Sequence, residues 1–169
     1  MPLIVETGLG LADADSYCSV DFADSYFEKY GNAAWDSVED KEAALRKATS
    51  FMLQNYRLRW KGYRRQWGQA LDWPRVDVFL QDFSLSSAQT IPIDVIPNEV
   101  QVACALLAYE STVSELNPNL DQQVVSEKVG PLMVTYSEHS PQHRRFKAVD
   151  MLLRHLLVAN GLCRPVARS

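Results

Sequence analysis

Apolar residues recur at helical spacing in four stretches of this chain. After Ser19, a candidate N-cap, Ala23, Tyr26, Phe27 and Tyr30 fall at i, i+3, i+4 and i+7. That is one face of a short helix, and Gly31 is a natural stop. Asp21 and Asp24 sit in its first turns, where the helix dipole favours acids. A second helix is expected from about Asp36 or Ser37 to Tyr56, burying Ala44, Leu45, Ala48, Phe51, Met52 and Tyr56. A third opens at Pro97 and presents Val100, Ala103, Cys104, Leu107 and Ala108, with Leu106 widening the face. It should end near Leu116, ahead of Asn117-Pro118. The last is expected from about Gln142 to Ala159, lined by Phe146, Val149, Leu152, Leu153, Leu156 and Leu157, and stopped at Asn160-Gly161.

Between the helices the pattern changes. Residues 57–76 lose periodicity, gain Gly62, Gly68 and Pro74, and read as a loop rich in Arg and Trp. Residues 77–96 are irregular, which makes a connection of a length usually kept for function. Residues 124–136 read as a hairpin, Val124–Val129 and Leu132–Tyr136 about Gly130-Pro131. The expected fold is mainly α, with about four helices, an inserted long loop and a β-hairpin. Residues 1–161 form one domain, and residues 162–169 form a basic C-terminal tail.

Composition narrows the class. With 47% hydrophobic and 22% charged residues, the chain of 169 residues is globular rather than disordered. No apolar run approaches the roughly 18 residues of a membrane span. Met1-Pro2-Leu3-Ile4-Val5-Glu6 lacks a basic n-region, so no signal peptide is expected. Cys18, Cys104 and Cys163 form no CxxC pair and suggest neither a disulfide scaffold nor zinc, which suits synthesis in a reducing cytosol. The net charge of −4 hides alternating blocks: −6 over residues 1–55, +5 over 56–75, −8 over 76–127 and +5 over 128–169. A subunit so polarised could set an acidic face against a basic neighbour.

No catalytic motif is recognisable. His139 and His143 have the i, i+4 spacing of helical metal ligands, but Pro141 lies between them, and solvated loop histidines are expected. His155 reads as a surface residue and Cys104 as core packing. Gly8-Leu9-Gly10 is too short and too far from any base to be a phosphate loop. Neither enzymatic activity, metal nor cofactor is expected. The most informative local feature is the basic loop, where Arg57, Arg59, Lys61, Arg64 and Arg65 interleave with Trp60, Tyr63 and Trp67, and Arg75 follows. Cations can hold phosphates and aromatics can stack on unpaired bases. Equally, the aromatics can fill the core while the arginines bond to acidic groups or to a neighbouring subunit. A pI near 5.4 weighs against a protein devoted to coating DNA.

Several stretches in order carry a resemblance. They are Tyr17-Cys18-Ser19-Val20, Gly31-Asn32-Ala33-Ala34-Trp35, Ala44-Leu45-Arg46-Lys47-Ala48-Thr49, Trp60-Lys61-Gly62, Gln69-Ala70-Leu71-Asp72-Trp73-Pro74-Arg75, Ile96-Pro97, Ser126-Glu127-Lys128-Val129-Gly130-Pro131-Leu132 and Val149-Asp150-Met151-Leu152-Leu153. From about residue 14 to 158 the chain resembles a family of tailed-phage and prophage proteins often labelled DnaT-like single-stranded DNA-binding proteins. It is also similar to head–tail adaptor, or head completion, proteins. The resemblance implies a small antiparallel helical bundle. It also implies a structural virion protein of the neck, made in the bacterial cytoplasm, that joins portal protein to tail or to a second neck protein. About a dozen copies would form a ring around genomic double-stranded DNA without binding it tightly. The alternative it implies is a replication accessory that binds single-stranded DNA. No catalytic residue is carried over. The tail with Arg164, Pro165 and Arg168 departs from the family pattern and is a candidate portal-docking arm.

Overall fold

The computed structural model describes residues 1–80, 89–118, 126–129, 132–135 and 145–158. Among these residues the fold is mainly helical, with helices α1 (Val20–Lys29), α2 (Lys41–Tyr56), α3 (Asn98–Val113) and α4 (Lys147–Leu153). Two small antiparallel pairs accompany them: β1 (Tyr63–Arg64) with β2 (Arg75–Val76), and β3 (Ser126–Val129) with β4 (Leu132–Thr135). The second pair is the expected hairpin, with Val129 opposite Leu132 and Ser126 opposite Thr135.

The helix starts follow local chemistry. Ser19 caps α1 by accepting the Phe22 N–H at 3.1 Å. α2 starts later than its acidic run suggested. Residues Ala33–Ser37 form a separate 3-10 turn, which sinks Trp35 into the core, and Asp40 caps α2 by accepting the Ala43 N–H at 2.8 Å. The indole N–H of Trp35 donates to Asp24 at 2.7 Å, and Lys41 Nζ reaches the same oxygen at 2.9 Å. Burial pushes the Asp24 carboxyl up, but the Lys41 and Trp35 hydrogen bonds outweigh it and hold Asp24 below its ordinary value.

The other ends differ as well. α3 stops at Val113 rather than near Leu116. The hydroxyls of Ser111 and Thr112 donate to the carbonyls of Ala108 and Tyr109 at 2.7 Å each, and Ser114 turns to extended backbone. α4 begins at Lys147, after Phe146 in the N-cap position, and tightens into a 3-10 turn over Arg154–Leu156. The helix is shorter than expected at both ends, since Arg145 and Phe146 lie before it and Leu157 turns to extended backbone opposite Trp60; Gln142 and Ala159 themselves lie outside the described residues.

The core sits where the apolar faces meet. α2 and α3 form the most extensive helix contact. α2 contributes Ala44, Leu45, Ala48 and Met52 to this core, and α3 contributes Val100, Ala103, Leu107 and Ala108. Each large buried side chain contributes about 1.5–3 kcal/mol through its burial. Val149, Leu153 and Leu156 add the face of α4. Tyr30 does not join this face and is exposed, because α1 ends one residue before it. Cys18 and Cys104, far apart in sequence, meet in the core. Cys104 Sγ lies 3.4 Å from Thr49 Oγ1 and 3.8 Å from Ser16 Oγ. A hydrogen bond to Cys104, together with burial, holds the Cys18 thiol well above its ordinary range, so it stays protonated.

Candidate interaction surface around the basic ribbon

The loop after α2 folds back as the β1–β2 ribbon, and this return decides what its cations do. Gly62 permits the turn. Its φ is +67°, and a Cβ there would collide with the Val76 carbonyl. Arg75 then points inward. Its guanidinium donates to three backbone carbonyls: Lys61 at 2.8 Å, Asp72 at 3.1 Å and Gly62 at 2.7 Å. Arg75 is 6% exposed, so as part of an outward basic patch it is corrected to a structural staple. Burial lowers its pKa, partly offset by Asp72.

The remaining cations are distributed among neighbours. Arg57 Nε donates to Asp72 Oδ1 at 2.9 Å, and that carboxylate is buried. Asp72 also donates its backbone N–H to the Tyr17 hydroxyl at 3.0 Å. Burial first, and the Asp72 charge second, push Tyr17 far above its ordinary pKa. Arg59 lies over the Tyr56 ring at 5.2 Å and 3.9 Å from Asp150. Lys61 Nζ donates to the His155 carbonyl at 2.8 Å. Arg64 and Arg65 donate to the carbonyls of Gln69 and Gly8, at 3.4 Å and 2.6 Å, and among the described residues neither faces a carboxylate.

The aromatics divide in the same way. Trp60 and Trp73 are buried and stack edge to face at 5.7 Å, so neither can receive a base. Trp67, in the return of the ribbon, is 92% exposed, and Tyr63, on β1 next to Arg64, is 70% exposed.

The N-terminal segment braces the tip, and sequence reasoning missed how. The buried Glu6 carboxylate accepts the backbone N–H groups of Gly8, Gly10 and Leu11 at 3.0, 2.9 and 2.8 Å. The Gly8-Leu9-Gly10 turn therefore does cradle an anion, and the anion is the chain's own. Gln66 in turn donates to the carbonyls of Leu9 and Gly10. An acid two residues ahead of a Gly-x-Gly turn was the available signal.

At the other end of α2 lies an open groove of about 630 Å³ between the Ala33–Ser37 turn, the start of α2 and the end of α3. Val38, Tyr109 and Val113 supply its apolar lining, and Glu39, Asp40 and Lys47 its charges. Of the other residues singled out in the sequence, His155 is exposed, with Nε2 3.6 Å from Glu99. His139, His143, Cys163 and the tail residues Arg164, Pro165 and Arg168 lie outside the described residues. No group of three or more His, Cys, Asp or Glu side chains among the described residues could hold a metal ion, and no described helix is long and apolar enough to cross a membrane.

Residues 1–169 match the family model described as "Putative DnaT-like ssDNA binding protein". Comparison with curated proteins finds no match, and comparison with solved structures finds none. A match over its whole length places this chain in the family of putative DnaT-like ssDNA-binding proteins.

Proposed function

We propose that this chain is a structural assembly protein, a head–tail adaptor that forms a ring between portal and tail. The use of the ribbon cations carries this reading. Arg75 is buried against carbonyls, Arg57 and Arg59 face carboxylates, and Lys61, Arg64 and Arg65 donate to backbone carbonyls with no acidic partner among the described residues. Such a surface supports protein contacts in a ring better than it supports tight phosphate binding. Genomic DNA must slide through an adaptor lumen, and strong binding there would oppose that movement. The portal protein and the tail, or a second neck protein, are the partners proposed above and below the ring, and the virion neck is its place.

A second reading, a single-strand-binding accessory, is favoured by the family description and by Trp67 and Tyr63 standing exposed beside two arginines. Stacking on such rings is worth about 1–3 kcal/mol per base. Copy number separates the two. Quantitative mass spectrometry of purified particles should find about one copy of this chain per portal subunit. Its absence from particles would remove the adaptor reading.

A further inference from the structure

We infer, taking the chain to be an assembly protein as proposed above, that copies join head to tail, with the ribbon tip of one seated in the groove at the start of α2 of the next. The ribbon offers an exposed indole, Trp67, in its return and an exposed phenol, Tyr63, on β1, with Arg64 and Arg65 between them in sequence. Large exposed aromatics beside arginine are the usual anchors of protein interfaces. The groove offers the complement. Val38, Tyr109 and Val113 line an open space of about 630 Å³, and Val113 is 66% exposed.

Charge selects this groove over its neighbours. Glu39 and Asp40 outnumber Lys47 in its lining, and exposed Asp36 adjoins it. Among the described residues neither Glu39 nor Asp36 faces a cation. The groove between α1, α3 and α4 holds Lys29 and no acid, and the one beside it sets Arg145 and Lys147 against Glu110. The groove along Lys47, Phe51 and Glu115 balances one base with one acid, so of these four grooves among the described residues the one at the start of α2 has the net acidic lining that two arginines would meet.

The two surfaces lie at opposite ends of α2. Its 16 residues span about 24 Å at a 1.5 Å rise. A contact joining different surfaces of identical chains is heterologous, and it propagates into a ring or filament instead of ending at a dimer. The occupant of the groove is a second copy of this chain.

Two blocked variants of the full chain test this by sedimentation. The first, Arg64→Glu with Trp67→Ala, removes the tip and keeps the groove. The second, Glu39→Lys with Val113→Lys, blocks the groove and keeps the tip. All four positions are exposed, so circular dichroism and melting should match the parent chain. At about 1 mM, where a contact with a Kd of that size is half occupied, the parent chain should form species larger than dimers. Each variant alone should remain monomeric, and an equimolar mixture should stop at the dimer, since one intact tip meets one intact groove. A parent chain that stays monomeric there, variants that associate like the parent, or a mixture that stays monomeric would each overturn the contact. Particle copy number is read separately. A chain present in the neck whose variants still associate loses this contact and keeps the adaptor reading, whereas a chain absent from particles that shows the dimer signature does the reverse.

Discussion

Replacing Arg75 by alanine is expected to destabilise the protein by about 3–4 kcal/mol. The residue is buried, and its three guanidinium contacts end on the carbonyls of Lys61, Gly62 and Asp72. Those carbonyls belong to both sides of the ribbon return, so one planar fork ties the turn together. Hydrogen bonds from a charged donor contribute about 1.5–3 kcal/mol each, and water admitted to the site would recover part of the loss. Arg75→Lys should recover little, because a single ammonium cannot reproduce a planar fork. Urea unfolding with an unchanged m-value is the measurement. A loss below about 1 kcal/mol would mean that the ribbon does not depend on this staple. The lysine variant adds a discrimination, since it preserves the charge that a phosphate contact would need and removes the geometry that the fold needs.

Glu6→Ala should cost about 3 kcal/mol. The carboxylate is 3% exposed and is the common acceptor for three backbone N–H groups within five residues. Its removal leaves those three donors without their acceptor. Glu6→Gln keeps the shape but turns one acceptor into a donor facing an N–H, so it should lose a large part of the same energy. The consequence reaches the ribbon, because the Gly8 carbonyl holds Arg65 and the Gly10 carbonyl holds Gln66. Amide hydrogen exchange should show lost protection at Gly8, Gly10 and Leu11, followed by loosening around Arg65. Unchanged protection at these amides would contradict the brace.

The helical faces were legible because burial by a single neighbouring layer imposes a 3.6-residue period. Val100, Ala103, Cys104, Leu107 and Ala108 are buried as their spacing implied. The start of α2 was not legible, since Asp36, Ser37 and Asp40 are all acceptable caps and only the burial of Trp35 separates the 3-10 turn from the helix. The ribbon was hidden for a related reason. Tyr63 pairs with Val76 and Arg64 with Arg75, and a two-residue pairing leaves too short a pattern to show alternation. Arg75 read as one cation among six, because chain position says nothing of which carbonyls a fold brings to a guanidinium. Of the basic loop, the sequence located the region, and the structure separated the staple and the acid-paired arginines from Arg64 and Arg65, which donate to carbonyls. Glu6 went unread because an acid in an N-terminal segment is ordinarily solvated.

The measurement that bears most directly on the ribbon is the salt dependence of single-stranded DNA binding by the purified full chain. Each phosphate neutralised on a single strand contributes about −0.7 to the slope of log K against log salt. Of the six ribbon cations, Lys61, Arg64 and Arg65 are the three with no acidic partner among the described residues, so binding through the ribbon should be weak, with a slope no steeper than about −2. A tight complex with a slope near −4, as six engaged cations would give, would contradict the account and make the ribbon a nucleic-acid surface.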